Sequence, residues 1–263
     1  MKRQFSLFLV ATQFLTRLPV PHFDGFQANW LSQSARYFPL VGALVGWIGV
    51  AVWWLSSNCF PPAVAVGLTI GASLLLTGAL HEDGFADVCD GFGGGASRES
   101  ILRIMKDSRV GAYGAIGVAV MLGLKWVTLV SLPRAAFPLV FVGGQMLSRW
   151  CATTLIWRLQ YVRPDADAKS KPFADSLSTA GWMLSGALGV LALLPLGLLE
   201  PSSGVFWRPA LLAAPASAVA GTLLAGIYFK QKIGGYTGDC LGAAQQIAEL
   251  SFLLAALGVL TWK

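Results

Sequence analysis

Charged residues are scarce in this chain of 263 residues. Asp, Glu, Lys and Arg make up 12% of the sequence and hydrophobic residues 55%, whereas soluble globular domains contain about 25% charged residues. The shortage of charge excludes an ordinary soluble domain and indicates an integral membrane protein. We interpret the net charge of +6 as the cationic loops that orient a membrane protein in the lipid bilayer, and we predict no nucleic-acid partner.

Residues that bind zinc or form disulfides are also few. The four cysteines, at positions 59, 89, 151 and 240, are scattered and form no CxxC pair. The sequence therefore predicts neither a disulfide framework nor a zinc ribbon. The only histidines are His22 and His81, which argues against a zinc site.

Long apolar runs are abundant. A membrane-crossing helix needs about 20 mostly apolar residues. The N-terminal segment "MKRQFSLFLVATQFLTRLP" lacks a small-x-small cleavage site, so we expect a retained interfacial helix rather than a signal peptide. The sequence predicts an all-α, polytopic membrane helix bundle that forms a single domain over 1–263, with about seven transmembrane helices. The candidate spans are 37–55, 60–80, 110–132, 135–157, 179–199, 209–229 and 241–262.

The distribution of basic residues predicts the orientation. If the N-terminus is cytoplasmic, fourteen Lys and Arg residues fall on the cytoplasmic side, and only Arg134, Arg208 and Lys263 fall on the other. This asymmetry agrees with the positive-inside rule. Two basic residues fall inside spans: we expect Lys125 to extend to the opposite surface, and Arg149 to contact either a phosphate or an acidic partner.

The stretch "HEDGFADVCDGFGGG", residues 81–95, places four acids within nine positions. If the helix of the second span continues through residue 90, Asp83, Asp87 and Asp90 lie on one helical face. Like charges at this spacing repel unless a cation lies between them, and hard oxygen ligands suit Mg²⁺. The cluster indicates a Mg²⁺–diphosphate site, with Glu82 the weaker ligand because it points off that face. A solvated acidic loop is the alternative.

Glycines and a histidine accompany these acids. Glycine leaves room for a phosphate to approach the backbone and permits tight turns. We interpret His81 either as a catalytic acid–base group or as an interfacial histidine bonded to a neighbour. The glycines near the acids are Gly84, Gly91, Gly93, Gly94 and Gly95.

A second stretch, "MKDSRVGAYG" at 105–114, closes the same predicted cytoplasmic segment. Lys106 and Arg109 are candidates to bind phosphate through charge-assisted hydrogen bonds. The alternative is that their charges only orient the third span.

A third stretch, "KIGGYTGDCLGA" at 232–243, opens the last predicted helix. Its backbone N–H groups are candidates to hold an anion, and its candidate site residues are Gly234, Gly235, Thr237 and Asp239. The alternative is that Asp239 merely caps the last helix.

The stretch "GALHEDGFADVCDGFGG" resembles the signature of the cobalamin synthase family, also called adenosylcobinamide-GDP ribazoletransferase. The family pattern is roughly H-x-D-G-x-A-D-x-x-D-G. The resemblance continues with "TRLP" at 16–19, "FPLVGALVG" at 38–46, "MKDSRVGAYG" and "GGYTGDCLGA" at 234–243, so it covers most of the chain in the expected order. The residues that fill the signature are His81, Asp83, Gly84, Ala86, Asp87, Asp90 and Gly91.

The resemblance implies an enzyme of the bacterial cytoplasmic (inner) membrane whose active site faces the cytoplasm. It would join adenosylcobinamide-GDP to α-ribazole or its 5′-phosphate and release GMP, with Mg²⁺ as the cofactor; a homo-oligomer is left open. In the mechanism we expect, Asp83, Asp87 and Asp90 hold Mg²⁺. The general base is His81 or an aspartate that does not bind the metal.

Two alternatives come from other classes. A CDP-alcohol-phosphotransferase-like membrane enzyme would share the aspartate-rich helix, but the chain lacks the D-x-x-D-G-x-x-A-R opening typical of that family. A transporter or membrane scaffold would be favoured by charges at the membrane midplane and by inverted repeats. The sequence shows neither clearly.

Overall fold

The computed structural model describes residues 2–21, 29–162, 176–191 and 207–261. Regular structure within these ranges is helical, apart from one isolated bridge between Tyr161 and Tyr236. The predicted all-α class is confirmed. The helices are α1 (Lys2–Leu15), α2 (Trp30–Ser34), α3 (Phe38–Ser56), α4 (Pro62–Thr77), α5 (Leu80–Gly94), α6 (Arg98–Met105), α7 (Ala112–Ser131), α8 (Phe137–Arg158), α9 (Thr179–Leu191), α10 (Trp207–Ile233) and α11 (Gly238–Thr261).

Fewer helices than predicted meet the length and hydropathy that a membrane span needs. Among the described residues, four do, or five if the bent pair α4–α5 is one span. The predicted span 179–199 is described only as far as α9, and its remainder lies outside the described residues. The structure supports a membrane protein with four or five apolar spans. The four helices are Trp30–Ser56, Ala112–Ser131, Leu212–Ile233 and Gly238–Thr261.

A sharp bend separates the second predicted span from the acidic motif, so the expectation of one helix continuing through residue 90 was wrong. Gly78 and Ala79 both adopt positive φ, at 65° and 54°, and α5 leaves α4 at 89°. Arg17 Nε occupies the space in which a Cβ at residue 78 would stand, so only glycine fits there without strain. The acidic motif therefore lies on a helix of its own, outside the four apolar spans.

The N-terminal helix α1 closes one side of this bend. Its buried residues Leu7, Val10, Ala11 and Leu15 recur at helical spacing and face the bundle. α1 packs against α2 and α3. Immediately after α1, the Arg17 N–H donates to the Leu76 carbonyl at 2.7 Å, so the "TRLP" segment is bound to the end of α4.

Helix α11 lies at the centre of the bundle, where it packs against α10, α5, α8 and α7. Its approach to α5 is unusually close. A Cβ added at Gly84 would lie 2.9 Å from the Asp239 backbone, and one at Gly242 would lie 3.0 Å from the His81 carbonyl oxygen. This glycine contact places the start of α11 directly beside the acidic face of α5.

Candidate active site

The acidic face of α5 has the predicted helical spacing, because residues 80–94 form one continuous helix. Asp83 is exposed and Asp87 is half-buried. Asp90 differs from both: its two carboxylate oxygens accept hydrogen bonds from the N–H groups of Gly111 at 2.7 Å and Gly114 at 2.8 Å. Asp90 thus stabilises the positive N-terminal end of α7 and holds segment 105–114 beside α5.

A second helix supplies the third carboxylate near Asp87. The pKa of Asp87 is raised to about 7, first by burial and then by the negative charges of Asp239, Asp83 and Asp90, in that order of effect. Asp239 thus converges on the α5 cluster. In the part of the chain that the structure describes, no three His, Cys, Asp or Glu side chains form a ready metal-binding group. The Mg²⁺ site at Asp83, Asp87 and Asp90 stays a prediction.

The cap of α11 is Thr237 rather than Asp239. The Cys240 N–H donates to Thr237 Oγ1 at 3.3 Å, and the Thr237 hydroxyl donates to Asp239 Oδ2 at 3.4 Å. The structure thus gives the capping hydrogen bond from Cys240 to Thr237, and the role of Asp239 in the site stays a prediction. The carboxylate of Asp239 is left to line a cavity.

Gly234 and Gly235, which precede Thr237, have structural roles at the end of α10. Gly234 adopts a φ of 84° where α10 ends. Gly235 abuts the Gln160 carbonyl, which accepts a hydrogen bond from the Tyr236 N–H at 3.0 Å. These residues turn the chain and pair it with the end of α8, and neither lines the cavity.

The glycines of the acidic motif likewise lie against protein. Gly91 and Gly95 face α6, where Cβ atoms would meet Met105 and Ile101, and Gly93 faces Tyr113. The space that we expected to serve a phosphate is thus filled by neighbouring side chains at these three positions. Their small size permits close packing of α5 on α6 and α7.

One cavity of about 240 Å³ brings together four predicted site residues: His81, Asp83, Arg149 and Asp239. The cavity lies where five helices meet, and most of its wall is apolar. A concave, mostly apolar pocket with a few convergent polar groups is the usual form of a small-molecule site. The remaining lining residues are Phe14, Leu15, Phe38, Leu80, Ala152, Ile156, Gly238, Leu241, Gly242 and Gln245.

His81 is buried in this wall, and its pKa is lowered by burial first and then by the positive charges of Arg149 and Lys125. Its imidazole is therefore neutral at pH 7. A neutral imidazole accepts a proton, so the structure is compatible with the predicted acid–base role.

Arg149 is 2% exposed and lies between the large cavity and a small polar one. Its Nη1 donates to the carbonyl and to the side-chain Oε1 of Gln145, at 2.8 and 2.7 Å. Its Nε is buried without a hydrogen-bond partner among the described residues. The direct hydrogen bonds of Arg149 thus go to Gln145, with the charges of Glu249 and Glu82 nearby, and one guanidinium donor is left for a ligand. The predicted contact with phosphate or an acidic partner stays a prediction.

Contrary to the sequence-based expectation, Lys125 does not extend to the opposite surface. It is 5% exposed. Its Nζ lies 3.0 Å from Glu249 Oε2 and donates to Gln246 Oε1 at 2.6 Å. The prediction considered only depth in the membrane and missed that the stretch "QQIAE" in α11 offers polar partners inside the bundle.

The two basic residues of segment 105–114 do not line the cavity. Arg109 is paired with Asp107, whose carboxylate accepts from Nη2 at 2.6 Å and from Nε at 3.0 Å. Lys106 is exposed at the end of α6. Their predicted contact with phosphate stays a prediction.

Comparison with known proteins gives a consistent result. A family model described as cobalamin-5-phosphate synthase matches residues 7–257. The adenosylcobinamide-GDP ribazoletransferase of Shewanella frigidimarina is 44% identical over 98% of this chain and 96% of that protein. Proteins of the same name from Leptothrix cholodnii and Ralstonia pickettii are each 43% identical, over 95% and 100% of this chain and 94% and 98% of their own lengths. No solved structure matches the chain.

Proposed function

Because the chain belongs to the cobalamin-5-phosphate synthase family, we propose that it joins adenosylcobinamide-GDP to α-ribazole or its 5′-phosphate. The products are adenosylcobalamin or its 5′-phosphate, and GMP, and the step is the late assembly of the nucleotide loop of coenzyme B12. The observation that supports this best is the single cavity lined by His81, Asp83 and Asp239, since these residues come from two separate family motifs.

The bond changes define what the site must do. The 3′-oxygen of α-ribazole attacks the phosphorus attached to the cobinamide side, and the bond from that phosphorus to the bridging oxygen breaks. GMP leaves with the bridging oxygen, and the hydroxyl proton passes to a base. His81 is neutral and lines the cavity beside Asp83, so it has the protonation state that this step needs.

The carboxylates suit Mg²⁺, with one change from the sequence-based set. Asp83, Asp87 and Asp239 would hold the ion, since both oxygens of Asp90 already accept backbone N–H groups. These three also form no ready metal-binding group among the described residues, so they would have to move together when the ion binds. Burial first, and then the negative charges of the neighbouring carboxylates, raise the pKa of Asp87, and a bound cation would favour its ionised form. Bound Mg²⁺ would neutralise the diphosphate and the leaving GMP. Arg149, through its free Nε, would complement the charge on the substrate.

The membrane arrangement belongs to the same proposal. We infer about seven transmembrane helices in the bacterial inner membrane, with the N-terminus and the active site on the cytoplasmic side. The excess of basic residues on that side supports this orientation.

The test is release of GMP by the purified full-length protein in detergent. Mixed with adenosylcobinamide-GDP, α-ribazole and Mg²⁺, it should form GMP and adenosylcobalamin in equal amounts, and a chelator should stop the reaction reversibly.

The Asp83→Asn variant should react at least about a hundredfold more slowly, since losing a metal ligand costs several kcal/mol. Glu82→Gln is the matched control. Absence of GMP, with CMP released from a CDP-alcohol instead, would favour the alternative enzyme class.

A further inference from the structure

We propose that the cavity between α1, α3, α5, α8 and α11 is the subsite for the fused-ring base of the ribazole nucleoside. The ribose then lies at Asp83 and Asp239. This inference rests on the proposed function and gives one of its two substrates a place in the fold.

The volume of the cavity excludes the larger substrate. Pockets that enclose a whole drug-sized ligand occupy about 300–1,000 Å³, and this cavity has about 240 Å³. It therefore accepts a piece the size of a nucleoside base. A corrinoid ring with its attached diphosphate and guanosine is several times larger and does not fit inside.

The chemistry of the wall distinguishes between the two bases that the reaction involves. Phe14, Phe38 and Ile156 contribute apolar surface from three helices, and the rings of Phe14 and Phe38 stack with centroids 6.3 Å apart. Guanine has several polar edge groups that would find no partner against these three apolar side chains, which is costly. The dimethylated benzimidazole of α-ribazole has an apolar edge, so its burial is favourable.

Polar groups line the same cavity and match a ribose. Asp83 enters from α5 and Asp239 from α11, and the close contact of Gly84 with the Asp239 backbone fixes the two relative to each other. Ionised carboxylates accept hydrogen bonds from hydroxyl groups. A base bound against the phenylalanines thus presents its ribose hydroxyls to these acceptors, with His81 in the same cavity.

Two phenylalanines of α1, Phe14 and Phe5, provide a matched pair of variants. Phe14 lines the cavity, whereas Phe5 on the same helix is 63% exposed. In detergent-purified full-length protein, Phe14→Ala should raise the KM for α-ribazole about tenfold or more, from the loss of buried aromatic contact. The KM for adenosylcobinamide-GDP should change little, and Phe5→Ala should leave both KM values unchanged.

A second variant fills the cavity instead of enlarging it. Ala152 lines the wall and is 6% exposed, so Ala152→Leu should also raise the KM for α-ribazole selectively. In addition, wild-type protein should prefer α-ribazole to the nucleoside of unmethylated benzimidazole, and Phe14→Ala should reduce that preference. This change in selectivity would not follow from a general loss of folding.

The outcomes separate the inference from the proposed function. If wild-type protein releases no GMP, the function itself fails. If wild-type protein is active but the Phe14 and Ala152 variants change both KM values equally, or neither, the subsite assignment is overturned while the function stands.

Discussion

Thr237 and Asp239 lie two positions apart and have different roles. Thr237 caps α11, so Thr237→Ala should cost about 1 kcal/mol of stability and change the Mg²⁺ dependence less than Asp239→Asn does, because it keeps the Asp239 charge. Asp239→Asn should raise the Mg²⁺ concentration that gives half the maximal rate, because it removes a charge from the carboxylate cluster. Unfolding curves and Mg²⁺ titrations of the two variants check this. A normal Mg²⁺ requirement in Asp239→Asn would remove Asp239 from the proposed metal site.

Asp87 should make the metal-free protein less stable as the pH rises. Its folded pKa is about 7, above the ordinary 3.8, so between these values the folded state binds a proton that the unfolded state has lost. Stability from this group is therefore present at low pH and declines as the pH rises through the folded pKa. With a chelator present, the midpoint temperature of thermal unfolding of wild-type protein should decrease as the pH is raised from about 5 to about 8.

The control for this decline is Asp87→Asn, which cannot titrate at that position. Its midpoint should fall less over the same pH range, and Mg²⁺ should restore the wild-type midpoint at high pH. Parallel curves for the two proteins, with and without Mg²⁺, would show that the pKa of Asp87 is not raised in the folded state.

At the scale of helices, the glycine contact between α5 and α11 holds the site together. Gly242→Ala should destabilise the protein by about 1–3 kcal/mol, because the added Cβ would press on the His81 carbonyl at 3.0 Å. Activity should fall as well, since α5 and α11 move apart. Gly258→Ala on the same helix meets no atom within 4 Å and should be neutral or slightly stabilising. Equal unfolding midpoints in a fixed detergent would contradict the crowding argument.

Helices α7 and α11 are linked by a buried ion pair. Glu249→Gln leaves Lys125 without its counter-charge and should cost about 3–5 kcal/mol. The double variant with Lys125→Met should be more stable than Glu249→Gln alone, because no unpaired charge stays buried. A double-mutant cycle of unfolding free energies measures this coupling, and strictly additive effects would refute it.

The sequence predicted those features of the helices whose signal is local along the chain. Asp83 and Asp87 share a face because a 3.6-residue period depends only on neighbours along one helix. The partners of Asp90 lie 21 and 24 positions away, and no local pattern reveals them. The bend after α4 was also hidden, because Ala79 has positive φ without being a glycine.

For the whole molecule, the exposed cysteine supplies a test of orientation. Cys59 is exposed in the loop between α3 and α4, whereas Cys151 and Cys240 are buried. A membrane-impermeant thiol reagent should label Cys59 from the periplasmic side only. In a Cys59→Ser background, Ser97→Cys at the exposed start of α6 should be labelled from the cytoplasmic side only. Labelling of position 97 from the periplasm alone would reverse the proposed topology.

Long-range contacts across the site set an order of assembly during synthesis. Gln246 donates to Glu82 at 2.8 Å, although 164 positions separate them, and it accepts from Lys125 across 121 positions. A growing chain that has not reached residue 238 has α5 but neither Asp239 nor the polar face of α11. Helix α11 leaves the ribosome after the other walls of the cavity and completes the site, and a chain terminated before residue 238 lacks one wall of the cavity and one of its carboxylates.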